Sequence, residues 1–331
     1  MIISVITPVY NRADSIERCM ASVKEARHHL QASWGRGDYK NISIEHIVVD
    51  DGSNDNTSQI VRQYADKHNW ISFISFPENR GTNAARNAAI EAAKGEWCVL
   101  LDSDDYFLPT AFVTIAKSMK SHPSYQHYMF APDDMQPYYA QNQILKGCKE
   151  KALLYPDFLN GHIEGDFIHV CNTAILRQHH FDEQLRIHEG VFFLMFFREA
   201  RQMWFTNEVV TIRERNRKDS VTHEMIRTKS VYIERTIRSD ELLLKHFEDD
   251  LKTLHMQRRL SCIKTHLLEN LLLLSEYAKM GILIHNNDIL VTPKYHIIRL
   301  LYALRGGFLL RWLLQSYLVL KYQVFHKSIS S

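Results

Sequence analysis

Apolar residues are distributed along this chain in two different ways. In the N-terminal part they come as short, dense runs, Ile2–Ile6, Ile44–Val49, Ile71–Phe76 and Val99–Leu101, rich in β-branched residues and without polar alternation. Runs of this kind suit strands covered on both faces, as in a parallel sheet. Between them the spacing turns helical: Ile16, Cys19, Met20 and Val23 mark a helix over about residues 14–26, and a helix from about Thr82 to Ala93 carries alanines at 84, 85, 88, 89, 92 and 93. Strand alternating with helix predicts an open α/β sheet. Prolines and glycines among aromatics predict an irregular connection over 133–165. A strand over Phe167–Leu176, a helix opening through Phe181–Phe193 and a last strand over Trp204–Ile212 follow. Beyond about Glu224 the leucines recur at helical spacing among charges, which divides the chain into an α/β domain, 1–222, and a helical region, 223–331.

The second and fourth apolar runs both end abruptly in acids. Ile44–Val49 leads into Asp50-Asp51-Gly52-Ser53, and Val99–Leu101 into Asp102-Ser103-Asp104-Asp105. In an open α/β sheet, residues just past a strand's carboxyl end face the crevice where ligands bind. Each cluster read alone fits a turn or a helix cap; two clusters on one sheet edge are more simply one site. Three carboxylates within four residues raise one another's pKa unless a cation sits among them. A hard divalent ion, Mg²⁺ or Mn²⁺, bridging to phosphate oxygens suits that place. The alanines of the Thr82 helix explain close packing but not Arg86 and Asn87 between them. Arg86 is either a solvated helix charge or a cation aimed at the acidic edge or at a phosphate.

Composition narrows the picture a little. The formal net charge of +2 gives no bias toward nucleic acid, and five cysteines without a CxxC pair argue against a disulfide framework or a zinc site. The chain opens without a charged, cleavable leader and has no run of roughly 18 apolar residues, so a cytoplasmic protein is expected. After Asp288 no acidic residue follows, while Lys294, Arg299, Arg305, Arg311, Lys321 and Lys327 remain among apolar and aromatic residues. That tail suits a helix lying on an anionic membrane surface; a buried hairpin bent at Gly306-Gly307 or a dimer contact is the alternative.

Four stretches in order, Val5-Ile6-Thr7-Pro8-Val9-Tyr10-Asn11-Arg12, Val48-Val49-Asp50-Asp51-Gly52-Ser53, Asn79-Arg80-Gly81 with Ala85-Arg86-Asn87, and Leu101-Asp102-Ser103-Asp104-Asp105, resemble the serial motifs of family 2 glycosyltransferases over about residues 1–110. The resemblance implies a Rossmann-like, nucleotide-binding A-type glycosyltransferase domain that inverts the anomeric centre of a UDP-sugar. It implies that Thr7, Pro8 and Tyr10 border the nucleotide, that Asp50 or Asp51 holds the uracil, and that Asp102 and Asp104 address ribose and metal, with Asp105 as a second metal contact. The segment Arg213-Glu214-Arg215 to Ser220-Val221-Thr222-His223 resembles the family's mobile arginine loop over the donor diphosphate, with His223 a weaker metal candidate. Lipid-linked or surface glycans, including lipopolysaccharide, fit as acceptors, at the inner face of a plasma membrane; self-association is left open.

The family's catalytic base lies in a Glu-Asp pair, and here the pair reads Glu189-Gly190. Glycine cannot take a proton, and inversion needs a base opposite the leaving group. Glu189 is the favoured replacement, ahead of Asp182, Glu183 and His188. The competing reading is a catalytically silent glycosyltransferase-like subunit that binds a nucleotide sugar. An oxidoreductase is disfavoured because no G-x-G-x-x-G follows the first strand.

Overall fold

The computed structural model describes residues 1–33, 41–163, 165–186, 188–214, 230–314 and 316. The chain divides into two compact units, 1–217 and 218–331. The boundary expected at 222/223 lies outside the described residues.

The first unit runs β1 (Ile2–Val9), α1 (Ile16–Ala32), β2 (Ser43–Asp50), α2 (Thr57–Ala65), β3 (Ile71–Ser75), α3 (Thr82–Ala92), β4 (Trp97–Leu100), β5 (Tyr106–Phe107) and α4 (Ala111–Ser121). It continues with β6 (His127–Pro132), α5 (Gln136–Gln141), β7 (Glu150–Leu154), α6 (Tyr155–Leu159), β8 (Ile168–Asn172), α7 (Thr173–Leu176), α8 (Gly190–Ala200) and β9 (Gln202–Ile212). The strands form one mixed sheet in the order β3-β2-β1-β4-β8-β6-β9-β5, with β7 added on β9. β3, β2, β1 and β4 are mutually parallel, whereas β8 runs antiparallel to both β4 and β6. Strand order reverses at β1, whose neighbours are β2 and β4, so a crevice opens past the carboxyl ends of these three strands.

Residues 3–9 of β1 are all buried, which is why the strand reads as an unbroken apolar run. α1 extends to Ala32, because Ala26 and Leu30 continue the face of Ile16, Cys19, Met20 and Val23 into the core. The stretch 133–165, expected to be irregular, holds α5, β7 and α6. β7 is an edge strand with little buried surface, so its sequence carries no apolar pattern. The strand expected to reach Leu176 stops at Asn172, whose side chain accepts from the amides of Ala174 and Ile175 and starts α7. The helix expected to open within Phe181–Phe193 begins at Gly190. Residues 181–185 are held out of a helix by two asparagines of α3. Asn87 exchanges hydrogen bonds with the amide and carbonyl of Phe181, and Asn83 donates to the carbonyls of Asp182 and Leu185.

The second unit comprises α9 (Ser230–Thr253), α10 (Gln257–Leu273), α11 (Tyr277–Leu283) and α12 (Pro293–Ala303), followed by a helical stretch over 307–314. Ile233, Ile237, Leu267, Leu268, Leu271, Leu272, Met280, Tyr295 and Ile298 form its core. No helix among the described residues is long and apolar enough to cross a membrane.

One glycine fixes the crevice wall. Gly52 has φ +72°, and a Cβ there would lie 2.4 Å from the carbonyl carbon of Glu78. The β2 and β3 loops therefore touch backbone to backbone. Gly52→Ala is expected to cost about 2 kcal/mol or more through strain and overpacking. Thermal unfolding should report it as a midpoint lowered by about 5 °C, and an unchanged midpoint would refute the contact.

Candidate active site

The loops past β1, β2 and β4 interlock before any ligand is considered. The amide of Asn11 donates to Ser53 Oγ at 2.9 Å, its side-chain oxygen accepts from the amide of Asn54 at 2.8 Å, and the amide of Arg12 donates to Thr57 Oγ1 at 2.8 Å. Of the residues expected to border a nucleotide, Tyr10 is exposed at the rim, whereas Pro8 is buried. Thr7 is wholly buried and its hydroxyl lies 2.9 Å from His46 Nε2, so its side chain belongs to the core and not to the crevice surface. Burial also pushes His46 down to about 3, keeping the ring neutral.

Both acids after β2 are buried and engaged. Asp50 Oδ1 accepts from the amide of Ser53 at 3.1 Å, closing the turn. Asp51 collects the loop after β3: the amides of Arg80 and Gly81 donate to it at 2.7 and 2.8 Å, and Asn79 Nδ2 at 3.0 Å. Burial raises the Asp51 pKa, while the two amides pull it back. Asn79-Arg80-Gly81 is thus the cradle of Asp51, a pairing that sequence spacing alone does not reveal.

The three acids after β4 have different surroundings. Asp102 is half exposed at the crevice edge. Asp104 lies 3.7 Å from Arg12 Nε, and its carbonyl accepts from Arg18 at 3.0 Å. Asp105 turns inward, is 8% exposed, and accepts from the amide of Glu214 at 3.2 Å. Burial, reinforced by Asp102 and Asp104, pushes its pKa up to about 8. Arg18 also pairs with Glu214 and covers the Tyr106 ring, so α1 ties the acidic loop to the segment leaving β9.

Among the described residues no three His, Cys, Asp or Glu side chains converge into a cage for a metal ion. The donor set nevertheless fits a hard cation of the Mg²⁺ or Mn²⁺ kind. Such an ion uses one or two carboxylates and completes its shell with phosphate oxygens and water.

Arg86 is the centre of the site. One nitrogen donates to Asp102 Oδ1 and the other to Glu189 Oε1, each at 3.0 Å, while the guanidinium packs toward the face of Phe181. Burial opposes its charge, but Asp102 and Glu189 outweigh that and hold its pKa above the ordinary value. Arg86 is therefore no solvated helix charge. It joins the loop after β4 to the start of α8, whose first residue is Gly190. A Cβ on Gly190 would meet nothing within 4 Å. Glu183 instead pairs with Arg80 at 3.3 Å, and Asp182 caps the amide of Gln184.

Arg213 is engaged elsewhere. Its guanidinium grips Asp134 through two nitrogens at 2.8 and 2.7 Å and reaches Asp166 at 2.7 Å, while its amide donates to Asp133. Its fork is filled by carboxylates, and it anchors the chain as it leaves β9. Residues 215–222 of the arginine loop and His223 lie outside the described residues.

Among known proteins, a β-1,3-glucosyltransferase of Campylobacter jejuni, named for the acceptor GalNAc(5)-diNAcBac-PP-undecaprenol, is 26% identical over 223 residues, 66% of this chain and 67% of that protein. The putative teichuronic acid biosynthesis glycosyltransferase TuaG of Bacillus subtilis is 39% identical over 104 residues, 31% of this chain and 36% of that protein. This chain thus spans only about a third of the length of several curated relatives. Among solved structures, Staphylococcus aureus TarS 1-349 in complex with UDP-GlcNAc superposes with TM-score 0.59 at 17% identity, covering 92% of each chain. The mannosyltransferase PcManGT of Pyrobaculum calidifontis, in complex with GDP-Man and Mn²⁺, gives 0.52 at 17% identity over 94% of this chain and 86% of that one. The fold is that of the A-type glycosyltransferases. A family model, Glycosyl transferase family 2, matches residues 4–183, more than half of the chain. That span holds every acidic loop of the crevice and the α3 helix that links them, and the chain belongs to glycosyl transferase family 2.

Proposed function

We propose that this chain is an inverting, metal-dependent glycosyltransferase that moves a sugar from a UDP-sugar to a hydroxyl of a growing surface glycan, such as lipopolysaccharide, O-antigen or capsule. The observation that carries this reading is the Arg86 bridge, which places the Glu189 carboxylate in the same crevice as Asp102. The C. jejuni relative, named for a lipid-linked acceptor, supports the acceptor class, and the UDP-GlcNAc and Mn²⁺ complexes of the two solved neighbours support donor and metal. A lipid-linked acceptor would bring the enzyme to the inner face of the plasma membrane.

In this reading Asp50 or Asp51 faces the base of the nucleotide, Asp102 the ribose, and Asp104 the metal, with Asp105 behind it. A divalent cation held there by Asp104 would supply positive charge to offset that developing on the departing diphosphate. Glu189 takes the proton of the acceptor hydroxyl as that oxygen attacks the anomeric carbon and the bond to the UDP oxygen breaks on the opposite face. Arg86 fixes the orientation of the Glu189 carboxylate, which a proton acceptor requires. Gly190 is the feature that favours the silent-subunit alternative, since it removes the residue from which the family's base would project.

Purified protein incubated with a panel of UDP-sugars and Mn²⁺ is expected to release UDP slowly from one donor, and chelator should stop it. Donor binding without release, with or without acceptor glycans, would favour the silent subunit. Asp104→Ala should abolish the metal-dependent part of UDP affinity while leaving the unfolding midpoint unchanged; equal affinity with and without Mn²⁺ in both proteins would remove Asp104 from the metal. Glu189→Gln should lower transfer by a factor on the order of 10² or more with donor affinity retained. Full activity in that variant, together with a large gain in the sterically open Gly190→Asp, would place the base elsewhere.

A further inference from the structure

The second unit buries one face of its C-terminal helices and leaves the other apolar. On α12, Tyr295 and Ile298 are buried in the unit's core, while Ile297 and Leu300, with Leu304 just past the helix end, at i, i+3 and i+7, lie on the opposite side and are each more than half exposed. The chain turns at Leu304–Gly306 and re-enters a helix over 307–314. There Leu310 and Leu314 pack inward, and Phe308 and Trp312, one turn apart, are 79% and 54% exposed. Gly307 makes this arrangement possible: a Cβ on it would lie 2.1 Å from the carbonyl oxygen of Leu272, so a larger residue would push the last helix off α10.

Charge separates the candidates for what covers this face. Residues 289–314 contain Lys294, Arg299, Arg305 and Arg311 and no Asp or Glu. Lys294 is paired with Glu269, and Arg299 and Arg305 lie over the rings of Tyr295 and Tyr277 with their side chains at the surface. A second copy docked face to face would set this basic segment against itself, which like charges disfavour. An anionic bilayer surface offers acyl chains to the apolar face and phosphate oxygens to the basic groups, and Trp and Phe suit the headgroup boundary.

We infer that the outward face of α12 and the 307–314 helix is a monotopic docking surface for anionic phospholipid, with Leu300, Leu304, Phe308 and Trp312 entering the interface. This surface lies wholly within the second unit, and its existence does not rest on the transferase reading.

The test is co-sedimentation of the full chain, without donor or acceptor, with vesicles of phosphatidylcholine alone and of phosphatidylcholine with an equal share of phosphatidylglycerol. The wild-type chain is expected to pellet with the anionic vesicles, to pellet far less with the neutral ones, and to be released as salt rises toward ~1 M. Phe308→Ser combined with Trp312→Ser should weaken binding by a factor on the order of 10 or more, with unfolding midpoint and UDP affinity unchanged. Equal pelleting of wild type and double variant, or no pelleting of either, overturns the proposal. So does a wild-type dimer that the double variant converts to monomer without any vesicle effect, which would assign the face to a second copy.

Discussion

A guanidinium removed from water has to be answered by negative charge, and in this protein the answer comes from two separate parts of the chain. Arg86 lies on a helix of small residues, close to the sheet, where burial works against its charge. Asp102 from the end of β4 and Glu189 from the start of α8 supply the compensation. Losing either carboxylate leaves the cation with a single partner, so the arginine binds the two halves of the crevice to each other. The antiparallel half of the sheet, which delivers α8, is thereby fixed against the parallel half, which delivers the acidic loops.

The same logic of mutual obligation runs through the other loops. Asp51 would be a costly buried acid without the amides of Arg80 and Gly81, and those amides would be loose without Asp51. Arg213 and the acids at 134 and 166 stabilise one another at the exit of β9. Each pair brings a charge from one loop to a partner on another, which explains a site assembled from many connections that is nonetheless organised before substrate arrives.

What was legible in the sequence follows from how local the signal is. β1 and most of β2 are buried, so they stand out as apolar runs, and the acids that follow β2 and β4 fall where strand ends must lie. Glu189 and Arg86 could each be singled out, but the bond between them spans more than a hundred residues and leaves no periodic trace. β6 is wholly buried yet reads His-Tyr-Met-Phe-Ala-Pro, with none of the β-branched residues that mark a strand, and β7 is an edge strand without an apolar face. Thr7 and Arg213 are of types that suit a nucleotide site, and their partners, a core histidine and a pair of carboxylates, become visible only in the structure. The division of the C-terminal helices into a packed and an outward face likewise required knowing which side of each helix the core takes.

Asn83, Arg86 and Asn87 stand at i, i+3 and i+4 on α3, and so form a single polar stripe. The two asparagines grip residues 181–185 and the arginine grips Glu189, so the whole span between Phe181 and α8 is hung from one helix at both its ends. α3 acts as a ruler. The spacing between these anchors is set by helical pitch, a stiff and nearly invariant length, and not by the conformation of the intervening chain. Residues within that span can therefore change in size and polarity, and with them the shape of this wall of the crevice, while the carboxylate at its end keeps its distance from the acidic loop.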